Sequence, residues 1–287
     1  MNARLLVMRP LLSLILVFPL ALVASGQVAL APAQSDGLVK RALAAEVRGA
    51  QDFQHPMRYR LRKSSPRLIS TKNIFETRDG AVARLIAVND SPLGQDDELK
   101  EQARLDLLLS DPSRQRHRKQ SEDEDTNRAL KFLRLLPEAF LFEYVGSGSG
   151  PTGKVEKFAF KPNPHFYPPD LEAHVLTALN GQIWVDPAQE RVERLEGHLA
   201  QDVDIGWGLL GRLNKGGWIV IEQADVGDHQ WRIVHFKMSM SGRVVFKTKV
   251  FDTTEDQSHF APVAAGLSYK QAIQILREEK PNAPISR

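Results

Sequence analysis

Residues 218 to 253, WIVIEQADVGDHQWRIVHFKMSMSGRVVFKTKVFDT, decide the fold class. Three runs, Trp218 to Asp225, Gln230 to Met240 and Arg243 to Thr253, are separated only by Val226-Gly227-Asp228-His229 and by Ser241-Gly242. Connections that short allow nothing but adjacent antiparallel strands. In the middle run Val234, Phe236, Met238 and Met240 fall on one face, while Trp231 and Ile233 point to the other. The prediction is a meander with apolar cover on both faces for part of its length.

Working toward the N-terminus, Gly206-Trp207-Gly208-Leu209-Leu210-Gly211 has the spacing of a dinucleotide-binding turn. Such a turn must open a helix within a βαβ unit, and Arg212 to Gly217 continue as loop. The reading is a glycine-rich connection with Trp207 anchored in the core, or a flap at a cavity mouth where Arg212 and Lys215 meet an anionic headgroup. Further strands are predicted near 154–161, 172–179, 181–186 and 191–199, the second of which could instead be a short helix. Gly146 to Gly150 reads as a flexible hairpin connection after Phe140, Leu141, Phe142 and Tyr144.

A helical insertion is expected at about 96–136, in two stretches interrupted by Pro112 and closed by Pro137. Its Arg114-Gln115-Arg116-His117-Arg118-Lys119 run is followed at once by Glu122-Asp123-Glu124-Asp125, a solvated face that neutralises itself or a basic half that docks on an anionic surface. The run holds no aromatic residue for base stacking, so no nucleic-acid partner is expected. Before the insertion, Met57, Tyr59 and Leu61 alternate with Arg58, Arg60 and Arg62, and Ser64-Ser65-Pro66 and Arg78-Asp79-Gly80 return the chain through strands near 67–77 and 81–89. A helix over roughly 37–51, capped by Asp36, precedes them, and another near 268–278 follows the last strand.

The N-terminus carries Arg4 and Arg9, an uncharged run from Leu11 to Val23, and Ala24-Ser25-Gly26. This is the pattern of a cleaved export signal over residues 1–26. A membrane anchor is the runner-up, since no charge occurs between Arg9 and Asp36, but Pro19 and the polar residues after Gly26 interrupt the apolar stretch. Cleavage removes two arginines and takes the formal charge from +3 to +1, so the basic pI says little about acidic partners. Residues 27–36 are then a linker, 37–260 one domain, and 261–287 a helix and tail. No cysteine is present, which excludes disulfides, thiolate catalysis and lipidation of a mature N-terminal cysteine.

No catalytic motif emerges. The eight histidines lack zinc spacing, glycine occupies the nucleophile position of the Gly146 to Gly150 run, and Asp202 with Asp204 form at most a weak calcium site. No cofactor, metal or enzymatic activity is expected, although a hydrolase built from distant strands stays open.

The fold class that results is mainly β (α+β): a large curled antiparallel sheet or unclosed β-barrel of about eleven strands, with helices covering the concave face. The export signal, the helix-then-strands order, the helical insertion, and Gly181-Gln182-Ile183-Trp184-Val185-Asp186-Pro187 leading to Arg191-Val192-Glu193-Arg194-Leu195-Glu196-Gly197 carry a resemblance. Over roughly residues 37–260 the chain resembles the bacterial outer-membrane lipoprotein-sorting carriers of the Lol type. That resemblance implies an unclosed β-barrel lidded by helices that shuttles acylated proteins across the periplasm. Arg58, Arg60 and Arg62 all qualify for the family's hook-like arginine, so no functional residue is carried over, and the lipidation cysteine of the acceptor member is missing. The expectation is a periplasmic, non-enzymatic carrier for a hydrophobic ligand or acylated protein, with a membrane surface as a further candidate partner. Met57, Tyr59, Leu61, Val234, Phe236, Met238 and Met240 would line its cavity, and Trp207, Arg212 and Lys215 its mouth. A non-catalytic envelope interaction module is the alternative.

Overall fold

The computed structural model describes residues 32–205, 211–244 and 247–279, all within a compact unit that runs from Ala31 to Arg287. The expected export signal and Trp207 lie outside the described residues, as does most of the C-terminal tail. Among the described residues no helix is long and apolar enough to cross a membrane.

One antiparallel sheet organises the chain. Its strands are β1 (Met57–Ser65), β2 (Leu68–Phe75), β3 (Val82–Val88), β4 (Ser91–Pro92), β5 (Phe140–Gly150), β6 (Gly153–Pro162), β7 (Leu179–Asp186), β8 (Arg191–Leu199), β9 (Val203–Ile205), β10 (Gly211–Leu213), β11 (Trp218–Asp225), β12 (Trp231–Val244) and β13 (Lys247–Pro262). The helices are α1 (Pro32–Gly49), α2 (Gln95–Ser110), α3 (Pro112–Ala139) and α4 (Tyr269–Glu278), with a 3-10 helix at Glu172–Ala178. The strands pair in the order β4-β3-β2-β1-β13-β12-β11-β8-β7-β6-β5, with β10 joined to β12 and β9 to β10. The two ends of that path do not meet, so the sheet is curled and unclosed. Pairing of β1 with β13 ties the first meander to the last.

Several sequence expectations are corrected. The sheet has thirteen strands rather than eleven: β4, β9 and β10 were not anticipated, and residues 172–178 form the 3-10 helix rather than a strand. The Gly146 to Gly150 run is strand, paired through to Gly150↔Gly153. Gly150 serves close packing, because a Cβ there would overlap the Glu193 carboxylate. Ser241-Gly242 is no turn either. β12 continues past it, with Ser241↔Val250 and Gly242↔Lys249, and Gly242 lets the Arg212 backbone approach. α1 starts at Pro32, so residues assigned to the linker are helical and Asp36 lies inside the helix rather than capping it. Pro137 does not close α3, which runs on to Ala139 with the Phe140 N–H donating to the Leu136 carbonyl.

The two faces of the sheet are covered by different helices. Phe75 and Val82 project to the outer face and meet Leu105 and Leu108 of α2 and Tyr269, Ala272, Ile273 and Leu276 of α4. Ser268 caps α4 in a reciprocal box with Gln271. The buried Arg84 donates to the carbonyls of Leu276 and Glu279 at the other end of α4, and to Glu98. The edge of β3 is satisfied by side chains of α2: Leu85 N–H donates to Glu101 at 2.8 Å, and Arg104 donates to the Ala83 carbonyl at 2.5 Å.

The inner face carries α1 and α3. Leu38, Val39, Ala42 and Leu43 of α1 are buried, and the helix packs on β5, β7, β8 and α3. Beneath it lie Phe140, Phe158, Phe160, Leu179, Ile183 and Leu199, with Phe158 at 0% and Ile183 at 1% exposure. Glycine is required at 181, where a Cβ would overlap the Glu196 carbonyl and press on Phe160. α3 runs from the β2–β3 turn, where Gln115 donates to the Asp79 carbonyl and Ala81 N–H donates to Glu122, to the start of β5.

Candidate functional site

The register of the strands builds the site. Ile219↔Met238 and Ile221↔Phe236 pair β11 with β12, while Ile219↔Gly197 and Ile221↔Leu195 pair β11 with β8. Directly opposed residues share a face, so Leu195, Ile219, Ile221, Phe236, Met238 and Met240 form one apolar strip on the inner face. β13 adds Phe251 opposite Met240, and Thr253 and Glu255 opposite Met238 and Phe236. At the far side Tyr59 stacks on Phe260 with ring centroids 5.4 Å apart. Leu61 follows Tyr59 two residues on, and Met57, which starts the strand, is buried.

Most of these side chains are only half-buried, and Phe251 is 44% exposed. This part of the inner face is an apolar trough whose side chains still have surface to lose. α1 stops short of it. Its C-terminal end is fastened by Glu46, which accepts both Nε and Nη2 of Arg191 (2.8 and 2.9 Å), the Val192 N–H (3.0 Å) and the Gln223 amide (2.9 Å). Gln223 belongs to β11, and the strip begins there.

Six of the seven expected lining residues, Met57, Tyr59, Leu61, Phe236, Met238 and Met240, stand on the inner face together. Val234 is the extra residue of a bulge between Glu222↔His235 and Gln223↔Ile233, at the lower end of the strip. Sequence reasoning missed Leu195, Ile219, Ile221, Phe251 and Phe260. The first three were legible as alternation along their strands, but the pairing that makes them neighbours was not. Of the expected mouth residues, Arg212 is held by Asp204 at 2.6 and 3.1 Å and by Asp202 at 3.4 Å, and Lys215 is exposed with its backbone N–H on Asp202. Those two acids therefore pair with Arg212.

Beside Tyr59, a cavity of about 610 Å³ opens between β1 and α3, lined also by Ala81, His117, Arg118, Ser121, Glu122, Asp125 and Thr126. Burial pushes the Tyr59 phenol well above its ordinary range, and the Glu76 and Glu122 charges add to the effect. Burial likewise raises Glu76 above the usual carboxylate value although it accepts the Met57 N–H.

Away from the apolar cluster under α2 and α4, the outer face is polar. Arg58 pairs with Glu279, Arg60 donates to Asn73 at 3.1 Å, and Arg62 grips Asp90 at 2.7 Å through two nitrogens. None of the three hook candidates faces the trough. A shallow cavity of about 470 Å³ on this side is lined by Arg194, Trp218, Val220, Glu222, His235 and Lys237. His235 bonds Asp256 at 2.7 Å, and among the described residues no hydroxyl bonds the histidine to complete a nucleophilic relay. Among the described residues no group of three His, Cys, Asp or Glu could hold a metal ion.

No family model matches the chain, and no curated protein sequence matches it. One solved structure similar to it is described as a "putative outer membrane lipoprotein-sorting protein domain" from Vibrio parahaemolyticus. The two are 11% identical over 84% of this chain and 100% of that one, with a TM-score of 0.29. At that level the likeness establishes neither a shared mechanism nor a shared ligand.

Proposed function

We propose that this protein is exported and carries a hydrophobic, acyl-chain ligand along the inner face of its unclosed sheet. The observation that carries the reading is the half-buried strip from Leu195 across Ile219, Ile221, Phe236, Met238 and Met240, left beside an α1 that seals only the neighbouring half. A monomer that leaves contiguous apolar surface inside a curled sheet has room for a partner there. Burial alone can hold an acyl chain, since each buried methylene contributes about 0.8 kcal/mol. Two methionines at the centre suit a ligand of irregular shape. A carrier of the lipoprotein-sorting kind fits this arrangement, with an acylated protein as one form of the cargo.

Native mass spectrometry of the protein isolated from the periplasm tests the reading. Bound acyl species and a mature N-terminus near residue 27 are expected. A clean apo mass together with no uptake of a fluorescent fatty-acid probe overturns the carrier. A second reading, an envelope interaction module, is favoured by the outer face, where Lys157 lies 3.8 Å from the Trp184 ring centroid and Lys237 5.2 Å from that of Trp218. It predicts that substitutions at Trp184 and Trp218, rather than at Phe236 and Met238, abolish activity in cells.

A further inference from the structure

The trough has a charged end. Lys72 of β2 is the inner-face partner of Leu61, and Tyr59↔Ile74 is the next pair on that face. Arg118 of α3 lines the cavity that opens beside Tyr59. Lys72, Arg118 and Arg104 therefore come together beside Tyr59 and Leu61, between the first meander and α3. Arg104 is already engaged by Glu101 and the Ala83 carbonyl. The neighbouring acids are occupied too: Glu122 accepts the Ala81 N–H, Asp125 pairs with Arg128, and Glu101 takes Arg104 and the Leu85 N–H. Lys63, farther up the same strand face, is paired with Glu255. Among the described residues neither Lys72 nor Arg118 has a carboxylate within salt-bridge distance. Burial, and then the charges of Arg104 and Arg118, hold the Lys72 ammonium below its ordinary pKa, and burial and Arg104 do the same to Arg118. Lys72, half-buried, and Arg118, exposed, thus stand without a salt-bridge partner beside an apolar surface, their charge offset only in part by Glu101 and Glu122, and leave a place for an anion.

We propose that Lys72 and Arg118 form the seat of a phosphate headgroup, so that the ligand of the trough is an anionic acyl lipid rather than a neutral one. This rests on the trough being the binding site. The acyl chain lies along Tyr59 and Leu61 toward Phe236 and Met238, and its phosphate oxygens accept from the Lys72 ammonium and the Arg118 guanidinium.

Displacement of the uncharged probe phenylnaphthylamine from the full-length mature chain tests the seat, with dodecyl phosphate and dodecanol as competitors of equal chain length. Dodecyl phosphate should displace the probe about tenfold more strongly than dodecanol at low salt, and the gap should narrow as salt is raised. The double variant K72Q/R118Q should erase the gap and leave displacement by dodecanol unchanged, while K72R/R118K retains it. Equal displacement by the two competitors in the wild type overturns the seat and leaves the trough standing, as does a preference that survives K72Q/R118Q. Displacement of dodecyl phosphate by inorganic phosphate at equal concentration overturns the lipid source in favour of the free anion. Failure of the probe and both amphiphiles to bind removes the trough itself. Circular dichroism confirms that each variant is folded before its displacement is read.

Discussion

Two halves of one sheet face can be set side by side. Over β5 to β8 the inner face is sealed: Phe158, Phe160, Ile183 and Leu199 sit beneath Leu38, Val39, Ala42 and Leu43 of α1, all buried. Over β11 and β12, and at Tyr59 and Leu61 of β1, the same face carries apolar side chains that remain half-exposed, with Thr253 and Glu255 of β13 between them. The pairing of β8 with β11 runs without a register shift from Trp218 to Glu222, the bulge at Val234 lying at its end, so what differs between the halves is the helix above them. One half of the face is therefore sealed core, and the other keeps apolar surface that the proposed ligand would cover.

Truncating one apolar side chain in each half puts the contrast under its hardest strain. Phe158→Ala in the sealed half should cost about 3–5 kcal/mol, because the cavity left under a fully buried ring collapses only in part. Met238→Ala in the open half should cost less than about 1 kcal/mol, since a half-exposed side chain forfeits less transfer energy and leaves no void. Urea unfolding measures both. Equal losses would mean that the trough is core and that the distinction is false.

Next in size is the fastening of α1 at the boundary. Glu46→Gln leaves the Arg191 guanidinium, 14% exposed, without its carboxylate, although its position over the Trp231 ring is kept. Removing one partner of a buried pair costs about 3 kcal/mol. The variant should also raise the uptake of an apolar dye, because a loosened α1 uncovers the sealed half. A loss under about 1 kcal/mol with unchanged dye binding would show that apolar contacts alone hold α1.

How far the sequence foretold this molecule depends on the range of the forces involved. Alternation within a strand is local, so Phe236, Met238 and Met240 could be assigned to one face, and Met57, Tyr59 and Leu61 to another, from spacing alone. Residues 254–258, Thr-Glu-Asp-Gln-Ser, have no apolar alternation and become strand only because β1 and β12 flank them. The glycines at 150 and 242 read as turn signals, but each makes room for an atom distant in sequence: the Glu193 carboxylate and the Arg212 carbonyl. Which half α1 would seal was decided by Glu46 and Arg191, 145 residues apart. Lys72 and Arg118 are unremarkable cations in the sequence, and only the crossing of α3 over the first meander brings Arg118 beside Tyr59, next to the Leu61–Lys72 pair.

The smallest effect separates the halves by the sign of a pH dependence. In the sealed half, burial pushes the Glu156 carboxyl up, but hydrogen bonds from Lys154, Ser147 and Tyr144 and the Lys154 charge outweigh it, and the net pKa lies below the ordinary 4.5. A depressed folded pKa contributes stability that is present above the unfolded value and is lost as pH falls from about that value through the folded one. At the foot of the trough, burial raises Glu76 above the same 4.5. Its contribution is favourable below the unfolded value and disappears as pH rises through the folded one. Glu156→Gln should therefore flatten the acid limb of a stability profile taken between about pH 3 and pH 7. Glu76→Gln should steepen the gain in stability with rising pH over the same interval, because it removes the one of the two groups that opposes that gain. Profiles that shift in the same direction for the two variants would mean that Glu76 is as well satisfied as Glu156, and that the half-open side of the sheet exacts no electrostatic cost for its incomplete cover.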